Sequence, residues 1–467
     1  MTKIGLEIHC QLTKLKSKLF CSCKADYRGF EPNINICPIC VGLPGSLPLL
    51  NKKAVEKAAM IAMRLGCKVP PKIGFFRKNY FYPDLPKNFQ ITQYNVHGPT
   101  SIGSEGQILI EDKMIRISRI QIEEDPGRLI YEGDPSKSLT TFVDYNRSGT
   151  PLVEIVTEPD FTTPKQVRTF VNILSDLLDN LGVSDTSLEG ALRVDANVSI
   201  DKGEKVEIKN IGSFRNLEKA IHFELIRQES LAERGMPIPS ETRQWDEGRK
   251  ITISARTKEE EQDYRYFPES DVPHVLIKDQ LLEKLKENMP ESIISKRERY
   301  VEKYGIPNQV AEVLSTDKFY SDLFEKAHNE NNAKEIANLI TTDLMGLADT
   351  KEKRDQLKLR PEHLSDLADA ILNNKITRIS AKTAIHEIAK TGKPLSEITS
   401  ELDLGRVDDE SSLLNIIDEV FAEEKQAVED AKQNIETVNY LVGKVMKKTK
   451  GKANPSVTLE IIKKKLK

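Results

Sequence analysis

From Ile4 to Leu12 apolar and polar residues alternate. Ile4, Leu6, Ile8, Cys10 and Leu12 share one face, while Glu7, His9 and Gln11 share the other. A period of two is that of a β-strand, so a carboxylate and an imidazole should stand two residues apart on its polar side. The spacing changes at Asn51, where an amphipathic helix should run to Leu65, capped by Asn51 and ended by Gly66. Thr163-Pro164 opens a second helix, whose Val167, Phe170, Val171, Leu174, Leu177, Leu178 and Leu181 recur at helical spacing up to Gly182. A third is expected from about Leu217 to Arg234. Strands lie between, among them Leu192–Ile200 and Val206–Lys209. An odd-length connection keeps Val198, Ile200, Val206 and Ile208 on one face, and a three-residue turn Asp201-Lys202-Gly203, with the glycine left-handed, meets that need. Asn197 then faces Glu207, and Asp195 faces Lys209. Purely structural ion pairs would leave the same pattern.

Beyond Pro290 the alternation stops and helical spacing with short loops runs to the end. Segments 298–350 and 361–404 read as small helical units, followed after Gly405 by a last unit that opens with an amphipathic helix, Ser411–Ala431. The expected class is therefore α+β: residues 1–290, then an all-α domain at 291–405 and a tail domain at 406–467.

Composition narrows the reading. The chain has 467 residues, 38% hydrophobic and 30% charged, with a net charge of −3, which excludes a disordered or fibrous chain and any overall basic field. No apolar run approaches the ~20 residues that span a bilayer. With Glu7 and His9 where a signal peptide needs its apolar stretch, a cytosolic protein is expected. Charge is local instead: residues 443–467 carry nine lysines against the single acid Glu460. Such a one-sided run suits a phosphate backbone, and a solvated surface is the alternative.

Four of the six cysteines form two close pairs, Cys21-Ser-Cys23 and Cys37-Pro-Ile-Cys40. Two such pairs joined by a loop can offer four thiolates to a closed, structural zinc; four unrelated buried thiols are the alternative. Cys10 and Cys67 fall outside the pattern and read as core.

The glycine-rich phosphate loops, the nucleophile elbow and the HExxH motif are all absent. A chain of this kind would handle ATP with carboxylate-held magnesium and basic side chains. Acids recur at strand positions: Glu7 beside His9, the run Glu123-Glu124-Asp125, Asp195 and Glu207. Cations interleave with aromatics in Phe75–Asp84 and Asp263–Pro268, a mixture that suits stacking on a base as well as an ordinary half-buried strand.

The stretch Val143-Asp-Tyr-Asn146-Arg147-Ser-Gly149-Thr-Pro151-Leu-Val-Glu154-Ile resembles the signature of the B subunits of the tRNA-dependent aspartyl/glutamyl-tRNA amidotransferases. So do Ile4–His9, Cys37–Pro48, Arg77–Asp84, Glu123–Gly127, Asp263–Pro268, Leu441–Lys447 and Gly451–Pro455. The resemblance runs almost end to end, and the chain has no room for the inserted domain of the related archaeal E subunits.

This resemblance implies a cradle-like N-terminal domain of glutamine synthetase superfamily type, a helical domain and a YqeY-like tail. It implies ATP- and Mg²⁺-dependent phosphorylation of the side-chain carboxylate of misacylated Asp-tRNA(Asn) or Glu-tRNA(Gln). Ammonia from the A subunit, an amidase, then displaces the phosphate, with a small C subunit completing a heterotrimer. Carried onto this sequence, the catalytic residues are Glu7, His9, Lys78, Glu124, Asp195, Glu207 and Lys209, with Glu7, His9 and Glu124 holding magnesium. Substrate and nucleotide contacts fall on Arg77, Tyr80, Tyr82, Asn146, Arg147, Tyr264, Arg265 and Tyr266, and tRNA contacts on Lys447, Lys448 and Lys450. The competing readings are a non-catalytic zinc-containing tRNA-binding protein and a free-standing amide ligase for a small carboxylate, which would not need the basic tail.

Metal analysis of the purified protein should find about one zinc per chain. Cys37→Ser should lower stability more than chemistry, because metal binding at a structural site is folding energy. Freely titrating thiols without zinc would overturn the assignment.

Overall fold

The computed structural model describes residues 2–95, 98, 100–110, 112–133, 138–201, 203–257, 264–405, 410–433, 437–449 and 451–466. They form two compact units that divide between Pro290 and Glu291.

The first unit is α+β and built on an eight-stranded sheet. In chain order its strands are β1 (Lys3–Gln11), β2 (Gly103–Ile110), β3 (Lys113–Glu124), β4 (Pro151–Thr157), β5 (Leu192–Ser199), β6 (Val206–Lys209), β7 (Glu241–Asp246) and β8 (Ile251–Thr257). Across the sheet the order is β8-β7-β6-β5-β1-β4-β3-β2. Only β6 and β7 run parallel. The first strand of the chain thus lies in the middle of the sheet, with both neighbours arriving from far along the sequence.

One face of this sheet is apolar. Ile4, Leu6, Ile8, Cys10 and Leu12 of β1 and the residue after it are buried, in the phase that the alternation requires. Three helices share their core: α1 (Lys52–Arg64), α2 (Pro164–Asn180) and α3 (Phe214–Glu233). Local chemistry sets their ends. The Asn51 side chain accepts from the Lys53 and Ala54 amides, and Gly66 leaves the helix with φ +68°. Thr163 and Gln166 exchange reciprocal bonds around Pro164 at the start of α2. Helix α3 begins three residues earlier than the apolar spacing suggested, because Ser213 caps it by accepting from the Asn216 amide.

Strands β5 and β6 pair in the expected register, Asn197 opposite Glu207 and Val198 opposite Val206. The turn differs. Strand β5 ends at Ser199, one residue early, while β6 spans the expected Val206–Lys209. Of the expected turn, Lys202 lies outside the described residues, and Gly203 is not left-handed; a side chain there would meet Ile238. A small three-stranded sheet, Phe267–Pro268, Phe76–Asn79 and Phe89–Thr92, completes the surroundings of the polar face.

In the described residues of the second unit all regular elements are helices. Segments 298–350 and 361–404 are not separate units: Tyr300, Phe324, Leu364, Ile385 and Leu404 belong to one core. A second cluster gathers Leu413, Ile417, Val420, Leu441, Val445 and Ile462. The single helix expected over Ser411–Ala431 is two, Glu410–Glu423 and Lys425–Gln433. No helix among the described residues is long and apolar enough to cross a membrane.

Gly106 of β2 lies where a methyl group would run into Cys67 Sγ and come within 2.7 Å of the Leu65 carbonyl oxygen. Gly106→Ala should therefore destabilise the first unit by about 1–3 kcal/mol through overpacking. Urea unfolding checks this, and an unchanged midpoint would refute it.

Candidate active site

Register turns the polar face into a lattice. Four adjacent strands, β3, β4, β1 and β5, carry Gln121, Glu154, His9 and Arg193 in one row. The next row holds Arg119, Val156, Glu7 and Asp195. On the other side, Glu123 and Gln11 flank Leu152. Strand β6 adds Glu207 and, at its end, Lys209.

His9 stands at the centre. Its Nε2 is 3.6 Å from Glu7 Oε1, 3.7 Å from Glu123 Oε1 and 3.5 Å from Glu154 Oε2. Burial opposes charge on the imidazole, but its bond to Glu154 and the charges of Glu7 and Glu123 prevail and raise it to about 9. Glu154, despite burial, is held down at about 2 by the same histidine. Glu123 goes the other way, pushed up to about 7 by burial and by Glu154. Burial and Glu154 also raise Glu7.

Two lysines border this group. Lys209 Nζ lies 3.1 Å from Asp195 Oδ2 and 3.5 Å from Glu207 Oε1. Burial would discharge it, but Asp195, Glu207 and Glu7 keep it firmly protonated. Lys78 is likewise held charged against burial, by Tyr266, Glu123, Tyr80 and Glu154, and its Nζ sits 4.7 Å from the centre of the Tyr264 ring.

Two donor sets could hold a divalent cation, Glu7/His9/Asp195 and His9/Glu123/Glu154, each with its ligand atoms within 4.8 Å of one another. Carboxylate oxygens are the hard donors that magnesium takes.

Glu124 is not among them. Consecutive strand residues point to opposite faces, so Glu124 turns away from Glu123, accepts from the Ile91 amide at 2.9 Å and pairs with Lys87. It lines a cavity of about 330 Å³ walled also by Cys21, Cys40, Arg77 and Glu269. Arg77 is committed there, with Nε and Nη2 at 2.6 and 2.9 Å from the Glu269 carboxylate.

Tyr80, Tyr264 and Tyr266 cluster around Lys78: Tyr80 packs edge-on to Tyr264, and Tyr266 stacks on Tyr94. Tyr82 and Arg265 are exposed. Asn146 is fully buried, accepting from the Asn35 amide and donating to the Glu31 carbonyl. Arg147 donates to the carbonyls of Pro126 and Gly127. Both are loop struts here rather than members of the His9 cluster.

In the tail, Lys448 pairs with Glu419 and Glu423, Lys447 is exposed and makes no ion pair among the described residues, and Lys450 lies outside them.

The four cysteines Cys21, Cys23, Cys37 and Cys40 do converge, their sulfurs within 4.8 Å of one another. A tetrahedral zinc with bonds of ~2.3 Å needs sulfurs ~3.8 Å apart, so the set fits. The Cys40 thiol is held down at about 5 by its bond from Cys21, with the buried Lys18 ammonium 3.7 Å away assisting.

The acid run Glu123-Glu124-Asp125 stands out in the sequence, but the role expected of Glu124 falls to Glu123 by position, and Glu154 and Arg193 were not among the expected catalytic residues. The alternation of Ile120 and Ile122 assigns Glu123, not Glu124, to the polar face. Nothing local marks Glu154 or Arg193, which gain meaning only from being beside His9.

Residues 2–283 match the family described as GatB/GatE catalytic domain, and residues 322–466 that described as GatB domain. The chain is 46% identical to the B subunit of the aspartyl/glutamyl-tRNA(Asn/Gln) amidotransferase of Saccharolobus solfataricus, over 100% of this chain and 99% of that protein. It is 47% identical to the protein of the same description from Sulfurisphaera tokodaii, over 99% of each. The one from Thermotoga maritima is 42% identical, over 99% of this chain and 98% of the other.

A divalent cation entering between His9, Glu123 and Glu154 must displace the imidazolium proton, lost near 9, and below about 7 also the Glu123 proton. Apparent affinity for Mn²⁺ should therefore strengthen as pH rises through this window. Calorimetry in buffers of different ionisation enthalpy should show more protons released at about pH 6 than near pH 8. Binding without proton release would place the cation elsewhere.

Proposed function

Because the chain belongs to the family of B subunits of the aspartyl/glutamyl-tRNA(Asn/Gln) amidotransferases, glutamine-dependent amide-forming ligases, we propose that the polar face around His9 is where the aminoacyl side chain is activated and amidated. In this reading ATP phosphorylates the side-chain carboxylate of aspartate or glutamate carried on tRNA(Asn) or tRNA(Gln), and ammonia displaces the phosphate. The carrying observation is the convergence of carboxylates from β1, β3 and β4 on one imidazole, bordered by Lys78 and Lys209.

The chemical problem is repulsion between two anions, the carboxylate and the triphosphate. Magnesium, when bound by Glu7, His9, Glu123, Glu154 and Asp195, would neutralise phosphate charge. Lys78 and Lys209, kept protonated by the acids around them, supply fixed positive charge where the transferring group becomes most negative. The tyrosines beside Lys78 suit packing on a nucleoside and keep water away from an acyl phosphate that hydrolyses readily. We assign the four cysteines a structural zinc, and we read the first unit as a cradle of glutamine synthetase type.

The partners in this proposal are the amidase, or A, subunit, which makes the ammonia, and the small C subunit, all acting in the cytosol. For tRNA we look to the tail. There Lys444, Lys448, Lys452 and Lys465 already face acids of the same unit, while Lys447, Lys463 and Lys464 are exposed without an ion pair among the described residues. Backbone contact should rest on these last three.

Glu154→Gln and Glu123→Gln, assayed in the assembled complex, should each lower amide formation on the order of a hundredfold or more. The loss should be equal with glutamine and with free ammonia, because activation of the carboxylate precedes both, and glutamine hydrolysis by the partner should remain. Near wild-type activity with ammonia would move the chemistry away from this face.

A further inference from the structure

Next to the His9 cluster lies a group of charges for which the proposed chemistry has so far no use. Asp125 follows β3 and its side chain is completely buried, yet two guanidinium groups attend it: Arg193 Nη2 donates to Oδ1 at 2.8 Å, and Arg147 Nε lies 3.8 Å from the same oxygen. The other oxygen, Oδ2, accepts from Gln11 Nε2 at 2.6 Å, and Arg28 fixes the orientation of that amide by donating to Gln11 Oε1. One buried carboxylate thus faces two guanidinium groups, with Glu123 also acting on Arg193 and Asp84 on Arg147. Burying an ion pair is not by itself a gain in stability, so the arrangement calls for another reason.

The two arginines differ in what they have left to give. Arg147 spends Nε and Nη2 on the carbonyls of Pro126 and Gly127 and is 16% exposed. Arg193 makes one hydrogen bond among the described residues and keeps 35% of its side chain exposed. A guanidinium carries five N–H donors in a planar fork. Register sets Arg193 directly across from His9, on the face where Glu123 and Glu154 project. Free donors, permanent charge and a fixed anchor describe an anion receptor.

We propose that Arg193, aimed by the buried Asp125, binds an oxyanion of the reacting pair: the carboxylate being activated or the phosphoryl group being transferred. The inference rests on the reading of the His9 face as the site of activation. Asp125 is then a positioning residue that acts through Arg193.

The test uses the assembled amidotransferase with Arg193→Ala, Arg193→Lys, Asp125→Asn and, for reference, Glu154→Gln. Arg193→Ala should lower kcat/KM at least about tenfold, and guanidinium ion added to the assay should restore part of it. Arg193→Lys should recover little, because an ammonium lacks the fork. Asp125→Asn should give a smaller loss, felt mainly in KM and insensitive to guanidinium. A raised KM for aminoacyl-tRNA alone assigns the carboxylate, and a raised KM for ATP alone assigns the phosphoryl group. Wild-type kcat/KM in Arg193→Ala, or a loss that guanidinium does not relieve, overturns the proposal. If Glu154→Gln is inactive while Arg193→Ala is normal, only the arginine's role falls; if both are normal, the site itself lies elsewhere.

Discussion

Like charges forced together on one sheet face are the constraint on which this molecule turns. Two carboxylates ~4 Å apart repel by about 4 kcal/mol at the effective dielectric of a protein surface, and here Glu7, Glu123 and Glu154 all approach a single imidazole. The arrangement holds because His9 carries a proton and because Lys78, Lys209 and Arg193 stand at its border. Charge is shared unequally as a result: Glu154 keeps its negative charge down to about 2, while Glu123 retains a proton up to about 7. Protonation on this face is thus divided between His9 and Glu123.

Such a face needs a rigid floor, and the opposite side of the sheet provides it. Ile4, Leu6 and Ile8 bury themselves against α1, α2 and α3 with no exposed surface to speak of. That packing fixes the register of β1, and register fixes which side chains meet across the strands. A slip of one residue would send Glu7 and His9 into the apolar core. Groups mounted on strands held this way keep their spacing better than groups on loops. The loops are tied in by other means, as where Asn146 and Arg147 are spent on backbone groups.

The tail shows how net charge can mislead. Its lysines look like a uniform basic field in the sequence, but Lys444 and Lys448 lie against Glu424, Glu419 and Glu423 of the same unit. Pairs of this kind at a surface are worth about 0–1 kcal/mol. They are weak, yet they reduce the field seen from a distance. The acids that do so come from a helical stretch whose apolar side fills the same small core.

By itself the sequence determined whatever depends on neighbours along the chain. The two-residue period fixed β1 and its two faces, the 3.6-residue period fixed α1 and α2, and Asn51, Thr163 and Gly66 marked their ends. The hairpin of β5 and β6 was legible as well: parity put its apolar residues on one face, and a connection centred on residue 202 set Asn197 opposite Glu207, although the turn's glycine conformation was not foreseen. The two cysteine pairs announced a common site because close spacing forces proximity. Tertiary structure decided the rest. The bulge between Ile117 and Arg119 lies upstream of Ile120 and Ile122, so their alternation alone already separates Glu123 from Glu124, whereas which groups Glu123 meets depends on its neighbours across the sheet. Glu154 and Arg193 join His9 only because the chain's first strand is inserted between β4 and β5, which lie far along the sequence from it. No local pattern encodes that insertion, because it is set by which apolar faces can be buried together.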